Sequence, residues 1–331
     1  MKKIKYILGC IGTALMFSAC SDFLDVATQN GLDPDQANDA ERFCNAAYAS
    51  LMNQRDVKLW AWGDVRSDDA YKGGGGTNDG YTEHCYETGT HIVTTFNEPD
   101  GYWFAQYCGI SRVNTALNAL NLVSEKEFPN KVTRQAEMRF LRGHFYFLLK
   151  ILFKNIPFVD ETVPEHQYQY ISNVALTDVE MWDKIIEDFK FAFDNLPEKQ
   201  ADLGRANKYA AAAYLAKANL YKAYRQNEKY EVTSIDAGDL EEVVKYTGEV
   251  LKSSYGLETD FAYNFMPEFE NGKESIFAIQ FSKDDGTMFG NLNFADFLSV
   301  PQGLGCCDFH KPSQNLVNAF KTSKGLPCLL Y

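Results

Sequence analysis

The chain has 331 residues, with 45 Asp and Glu against 32 Lys and Arg, a formal charge of −13. A surface that acidic repels phosphate backbones and no Lys/Arg-rich run offsets it, which argues against nucleic acid as a partner. Aromatic residues make up 14% of the chain; most must be core, and the length allows one large domain or two.

Lys2, Lys3 and Lys5 precede a short apolar run over residues 7–17, closed by Phe17-Ser-Ala-Cys20. This is the layout of a secretory signal, and the run is too short for the ~20 residues of a membrane span. Its ending resembles the lipobox of bacterial lipoproteins, the alternative being an ordinary cleaved signal with a chance cysteine. Residues 1–19 are therefore expected to be removed, leaving Cys20 as a lipidated first residue. Two or more acyl chains make a lasting anchor where one holds only marginally. Ser21, Asp22 and Asp25 behind the anchor are a hint of surface export. With Cys10 lost and Cys20 lipidated, Cys44, Cys85, Cys108, Cys306, Cys307 and Cys328 remain. Their irregular spacing matches neither a zinc site nor a redox C-x-x-C pair, so mostly free thiols are expected.

Helices are predicted nearly everywhere after residue 33. Asp33-Pro34 is a start signal, and Ala40, Phe43, Cys44, Ala47, Tyr48 and Leu51 recur on one face. A second helix begins near Pro99, with Trp103, Tyr107, Ile110, Asn114 and Leu117 on a stripe that assigns Trp103 to the core. The third, over about residues 133–153, has two apolar stripes. Only the line Arg139, Arg142, Tyr146, Lys150 and Lys154 is left for water, so the helix is expected to pack between others. The fourth opens on Thr177-Asp-Val-Glu180, the reciprocal capping box, and stops at Pro197. The fifth carries alanines 210–213 with Leu215 and Ala218, small enough for close helix approach. The sixth is placed from Asp239, with Leu240, Val243, Val244, Val250 and Leu251 inward and Gly256 as a stop.

These read as antiparallel hairpins in stacked layers, a mainly α, helical-repeat scaffold without a clean repeat period. Residues 56–97, 155–175 and everything beyond 260 are irregular, apart from one strand expected over 274–281.

Several ordered blocks carry a resemblance. Arg134-Gln-Ala-Glu-Met-Arg-Phe-Leu-Arg-Gly-His-Phe-Tyr-Phe-Leu-Leu-Lys, followed by Lys154-Asn-Ile-Pro-Phe-Val159, resembles the signature helix and loop of the SusD/RagB family of outer-membrane nutrient-binding lipoproteins. Trp62-Gly-Asp-Val-Arg-Ser-Asp-Asp-Ala-Tyr71, Ile110-Ser-Arg-Val-Asn114, Arg205-Ala-Asn-Lys-Tyr-Ala-Ala and Lys311-Pro-Ser-Gln-Asn-Leu-Val-Asn-Ala-Phe320 are similar to further family blocks in the same order. The resemblance implies a tetratricopeptide-like scaffold over residues 20–331 with a minor β component. It also implies a surface glycan binder that sits over a SusC-like TonB-dependent transporter and is not an enzyme. Some relatives take peptides or other nutrients instead, and a helical-repeat adaptor that binds only its transporter is a further alternative. Family members continue well past the Lys-Pro-Ser-Gln block, so the C-terminal part of the family is expected to be missing here.

Sugar rings offer apolar C–H faces for aromatic planes and hydroxyl rims for carboxylates, amides or backbone groups. Residues 56–97 hold that mixture around the glycines 73–76, and Asp68, Asp69, Tyr71 and Tyr81 are the candidate ligand contacts. Against this, Asp68 and Asp69 could brace the loop, and Trp60 and Trp62 could be packing. Adjacent Asp68-Asp69 is a poor glycosidase pair, which needs carboxyls ~5 to 9 Å apart across one bond. The glycine run lacks the Gly-Lys-Ser/Thr of a phosphate loop. His84, Cys85 and His91 have the wrong spacing for zinc, and His144 and Asn114 sit on packed faces. No cofactor or metal is expected.

Overall fold

The computed structural model describes residues 39–51, 60–92, 98–282, 299–301, 303–305, 307–320, 322–323 and 326–327. The signal, Cys20 and the Asp33-Pro34 start lie outside the described residues. Helix α1 spans Ala40–Ala49, α2 Tyr81–Thr88, α3 Glu98–Leu122, α4 Lys131–Phe153, α5 Asp178–Asn195, α6 Lys208–Ala223, α7 Ala237–Leu251 and the short α8 Gln314–Ala319. From α3 to α7 each helix packs on the next, α4 also touching α6. Packing of each helix mainly on its chain neighbour is the ladder expected. A hairpin of β2 (Tyr224–Gln226) and β3 (Val232–Ile235) joins α6 to α7.

The caps explain where the helices begin. Thr177 and Glu180 form the reciprocal box at α5, the Glu180 carboxylate accepting from the Thr177 N–H at 2.8 Å. Asn207 caps α6 by accepting from the Ala210 N–H at 3.0 Å. Asp236 does the same for α7 from the Asp239 N–H at 3.0 Å, so α7 starts two residues before the predicted Asp239.

Helix spacing is set by small residues meeting rings. A Cβ on Gly109 of α3 would come within 2.7 Å of the Phe145 ring, and one on Gly143 of α4 within 2.9 Å of Phe189. In α6, Ala210, Ala211, Ala212 and Ala218 are fully buried, as expected. Phe140, Phe147 and Phe189 surround Tyr214, with Phe189 stacked on it at 4.7 Å. His144 is buried, its Nδ1 2.6 Å from the Tyr214 hydroxyl, and burial followed by the charge of Lys217 lowers its pKa to about 4.

Four expectations need correction. The polar line of α4 does not face water: Arg142 is 1%, Tyr146 0% and Lys150 5% exposed. Arg142 grips Asp188 of α5 with two bonds of 2.7 and 2.8 Å and reaches Asn114 of α3 at 3.1 Å and Glu161 of the following loop. Arg139 shares Asp188 at 2.8 Å. The Tyr146 hydroxyl donates to the Val159 carbonyl and accepts from its N–H. A charge can be buried when pairing and hydrogen bonding replace its water, and here one row of side chains clamps three helices and a loop.

Helix α7 turns inward only part of the predicted face: Leu240, Val243 and Val250 are half-buried. Tyr246 is 2% exposed and packs edge-on against Phe193, whereas Val244 and Leu251 are 72% and 83% exposed. The Asp239 carboxylate, held by Lys222 at 3.1 Å and Arg225 at 2.7 Å, sets that rotation. Residues 274–281 form no strand. Their groups serve the helices instead: the Ile276 carbonyl accepts from Asn207, and Phe277 lies 5.1 Å from Phe140. Cys44, Cys85 and Cys108 are free thiols as expected, but Cys307 is disulfide-bonded. A bridge needs only two thiols brought within reach by the fold, which spacing along the chain does not report.

Candidate functional site

The segment rich in aromatic and acidic residues folds onto a distant part of the chain. After a π-turn at Ala61–Val65, β1 (Ala70–Gly73) pairs antiparallel with β4 (Phe309–Pro312), Tyr71 opposite Lys311. Burial alternates along β1, Ala70 and Lys72 inward and Tyr71 outward at 47% exposure. The clasp is reinforced at both ends. The Ser313 hydroxyl and N–H donate to the carbonyls of Asp68 and Asp69 at 2.5 and 2.9 Å. His310 stacks on Trp60 with ring centres 4.8 Å apart and its Nε2 lies 2.7 Å from an Asp64 oxygen.

The glycine run is wound around a buried lysine. Lys72, 4% exposed, donates from Nζ to the carbonyls of Gly73, Gly76 and Asp79 at 2.7, 2.9 and 2.8 Å, using all three of its protons. The Asp79 carboxylate accepts from the Gly75 N–H at 2.7 Å. Gly74 and Gly80 have positive φ, and a Cβ on either would meet the Phe309 ring at 2.7 Å. Only glycine fits both constraints.

The candidate residues separate into surroundings of two kinds. Asp68, Asp69 and Tyr71 are exposed and lie in sequence at the entry to β1. Asp68 has φ of 63°, strain that the Ser313 bond holds. The Asp69 carboxylate accepts from the Ser67 hydroxyl at 3.1 Å, so it does brace the turn. Tyr81 stands in the first turn of α2, half-buried, and its hydrogen bond with Cys85 raises the phenol pKa. Trp60 and Trp62 pack against Ala61, Val65 and Ala70, and Trp62 also meets Tyr86, Tyr102 and Phe153. Sequence reasoning missed Lys72, Phe309 and His310. A lone lysine abutting glycines in an acidic chain was the available signal for the first.

Among the described residues no cluster of His, Cys, Asp and Glu could hold a metal ion. Away from the clasp, a concavity of about 370 Å³ opens between the start of α3 and the loop after α4, lined by Trp103, Tyr107, Pro157 and Tyr168 among others. Trp103 is half-buried, not fully core.

A SusD-like family model described as "Starch-binding associating with outer membrane" matches residues 22–220. The chain belongs to this SusD-like family. A SusD-like protein of Bacteroides ovatus is 27% identical over 329 residues, 95% of this chain and 57% of that protein. SusD-like protein P2 of Formosa agariphila is 29% identical over 226 residues, 64% of this chain and 42% of that protein. The chain thus spans about half the length of the curated relatives it matches. Among solved structures, surface glycan-binding protein A from Bacteroides thetaiotaomicron in complex with laminarihexaose superposes with a TM-score of 0.67 at 20% identity, covering 86% of this chain and 60% of that one. A laminarin binding SusD-like protein gives 0.58 at 22% identity, covering 72% and 50%. These structures share the SusD-like helical fold described above.

Proposed function

We propose that this SusD-like chain captures oligo- or polysaccharide at the outer membrane, tethered by lipid at Cys20, and delivers it to a SusC-like TonB-dependent transporter without chemical change. The observation that carries the reading is the β1–β4 clasp. It holds an outward Tyr71 ring on a strand that the exposed Asp68 and Asp69 lead into, on a backbone fixed in advance. A pyranose can lay its C–H face on the tyrosine while its hydroxyls donate to the carboxylates. Preorganised loops lose little conformational freedom on binding, which favours affinity. Relatives solved with laminarihexaose and with a xylogluco-oligosaccharide support glycan as the ligand class.

The test is a titration of the Cys20-deleted protein with a panel of soluble polysaccharides and peptides. Binding to at least one glycan is expected, weakened roughly fivefold or more in Tyr71→Ala for the loss of one stacking contact. A response to peptides alone would overturn the glycan reading, and no response to either, with retained co-purification of a large β-barrel, would make the protein an adaptor. Radiolabelled palmitate entering wild type but not Cys20→Ser tests the tether.

A further inference from the structure

We infer that the groove between the start of α3 and the loop after α4 is a second sugar subsite, taking one uncharged pyranose ring of a chain that also engages the Tyr71 clasp. It rests on the glycan reading above.

The groove's volume of about 370 Å³ falls at the small end of ligand sites. Trp103, Tyr107 and Tyr168 supply aromatic wall, and Pro157 and Val159 supply an apolar surface beside it. Trp103, Tyr107, Pro157 and Val159 are each held in place by neighbours. Trp103 packs edge-on against Phe153 and lies 5.0 Å from Tyr107, whose phenol donates to the Pro157 carbonyl at 2.7 Å. Val159 is held on both backbone groups by Tyr146 and again by Asn114, the partner of buried Arg142. Walls fixed this way need little ordering when a ring enters.

Charge selects among ligands. None of the residues lining the groove bears a formal charge, in a chain whose net charge is −13. A uronic acid or sulfated sugar finds no cation there, and an ammonium finds no carboxylate; a neutral ring with one apolar face finds aromatic planes and the Ser111 hydroxyl at the edge. The position suits a shared ligand as well. The Phe153 ring lies 5.9 Å from Trp62 and 5.0 Å from Trp103, so a single ring links the groove wall to the segment that leads into Tyr71.

The experiment uses the Cys20-deleted full chain labelled with 5-fluorotryptophan, its four tryptophan signals assigned by single Trp→Phe variants. Titrants are a hexasaccharide of the neutral polysaccharide bound best in the panel and a leucine- and phenylalanine-rich peptide. The hexasaccharide should shift the Trp103 signal. Ser111→Phe, which fills the groove, and Tyr168→Ala, which bares one wall, should each weaken it roughly tenfold, with the helical circular dichroism unchanged. Wild-type binding with a silent Trp103 signal and unaltered affinity in both variants would remove the subsite and leave the clasp reading intact. A Trp103 response to the peptide and not to the sugar would reassign the groove to peptide side chains. Failure of the wild type to bind any glycan in the panel would overturn both readings.

Discussion

Replacing Arg142 by Met should destabilise the helical ladder by about 3 to 5 kcal/mol, the cost of removing one partner from a buried ion pair. The guanidinium is 1% exposed and makes two bonds to Asp188, itself 1% exposed, besides those to Asn114 and Glu161. Methionine fills much of the volume, so the loss is electrostatic: Asp188 keeps only Arg139 at 2.8 Å, and the Asn114 and Glu161 oxygens lose their buried donor. Against a total stability of about 5 to 15 kcal/mol, a loss of this size is plain in urea denaturation followed by circular dichroism. Removing the stranded carboxylate as well, in Arg142→Met with Asp188→Leu, should recover a substantial part, because well-packed apolar pairs replace buried ion pairs at little net cost. A single-variant loss below about 1 kcal/mol, or a double variant as unstable as the single, would refute the view that Asp188 needs this partner.

Lys72→Met should release the glycine run: three carbonyls lose their shared donor, at about 1 to 3 kcal/mol for an unsatisfied buried group, and limited proteolysis should cut within residues 73–80. Gly143→Ala places a methyl carbon 2.9 Å from the Phe189 ring, so the α4–α5 contact must open, and calorimetry should register about 1 to 3 kcal/mol of overpacking. His144, whose pKa falls from 6.5 to about 4 on folding, is neutral in the fold and protonates first in the unfolded chain. Its contribution is therefore full above pH 6.5 and is lost as the pH falls toward 4, an acid-side decline of order 3 kcal/mol that a His144→Phe variant should lack. Equal pH slopes in the two proteins would contradict this.

The helical ladder was legible because its signals are local. The Thr177–Glu180 box and the α6 alanines sit where their spacing places them. The polar line of α4 was misread because periodicity cannot tell a solvated stripe from one whose counter-charges arrive from elsewhere; Asp188 is 46 residues from Arg142. The rotation of α7 failed alike, set by Lys222 and Arg225 acting on Asp239 and not by the valines. In the candidate site, composition pointed to the segment with Asp68, Asp69 and Tyr71. Its closing partner was hidden, because contact between residues 245 apart, as from the Ser313 hydroxyl to the Asp68 carbonyl, leaves no period to read. Lys311 and Pro312 open a family block to which the sequence attaches no role, and pairing with β1 is what they do.

The β1–β4 pairing also orders events in time. Helices α3 to α7 join near neighbours and can form as the chain emerges, whereas β1 must wait for β4, so the ribbon closes after the helical ladder. A nascent polypeptide halted before Phe309 would carry a finished scaffold and an open tyrosine strand. Ligand competence would then report that synthesis has passed that point.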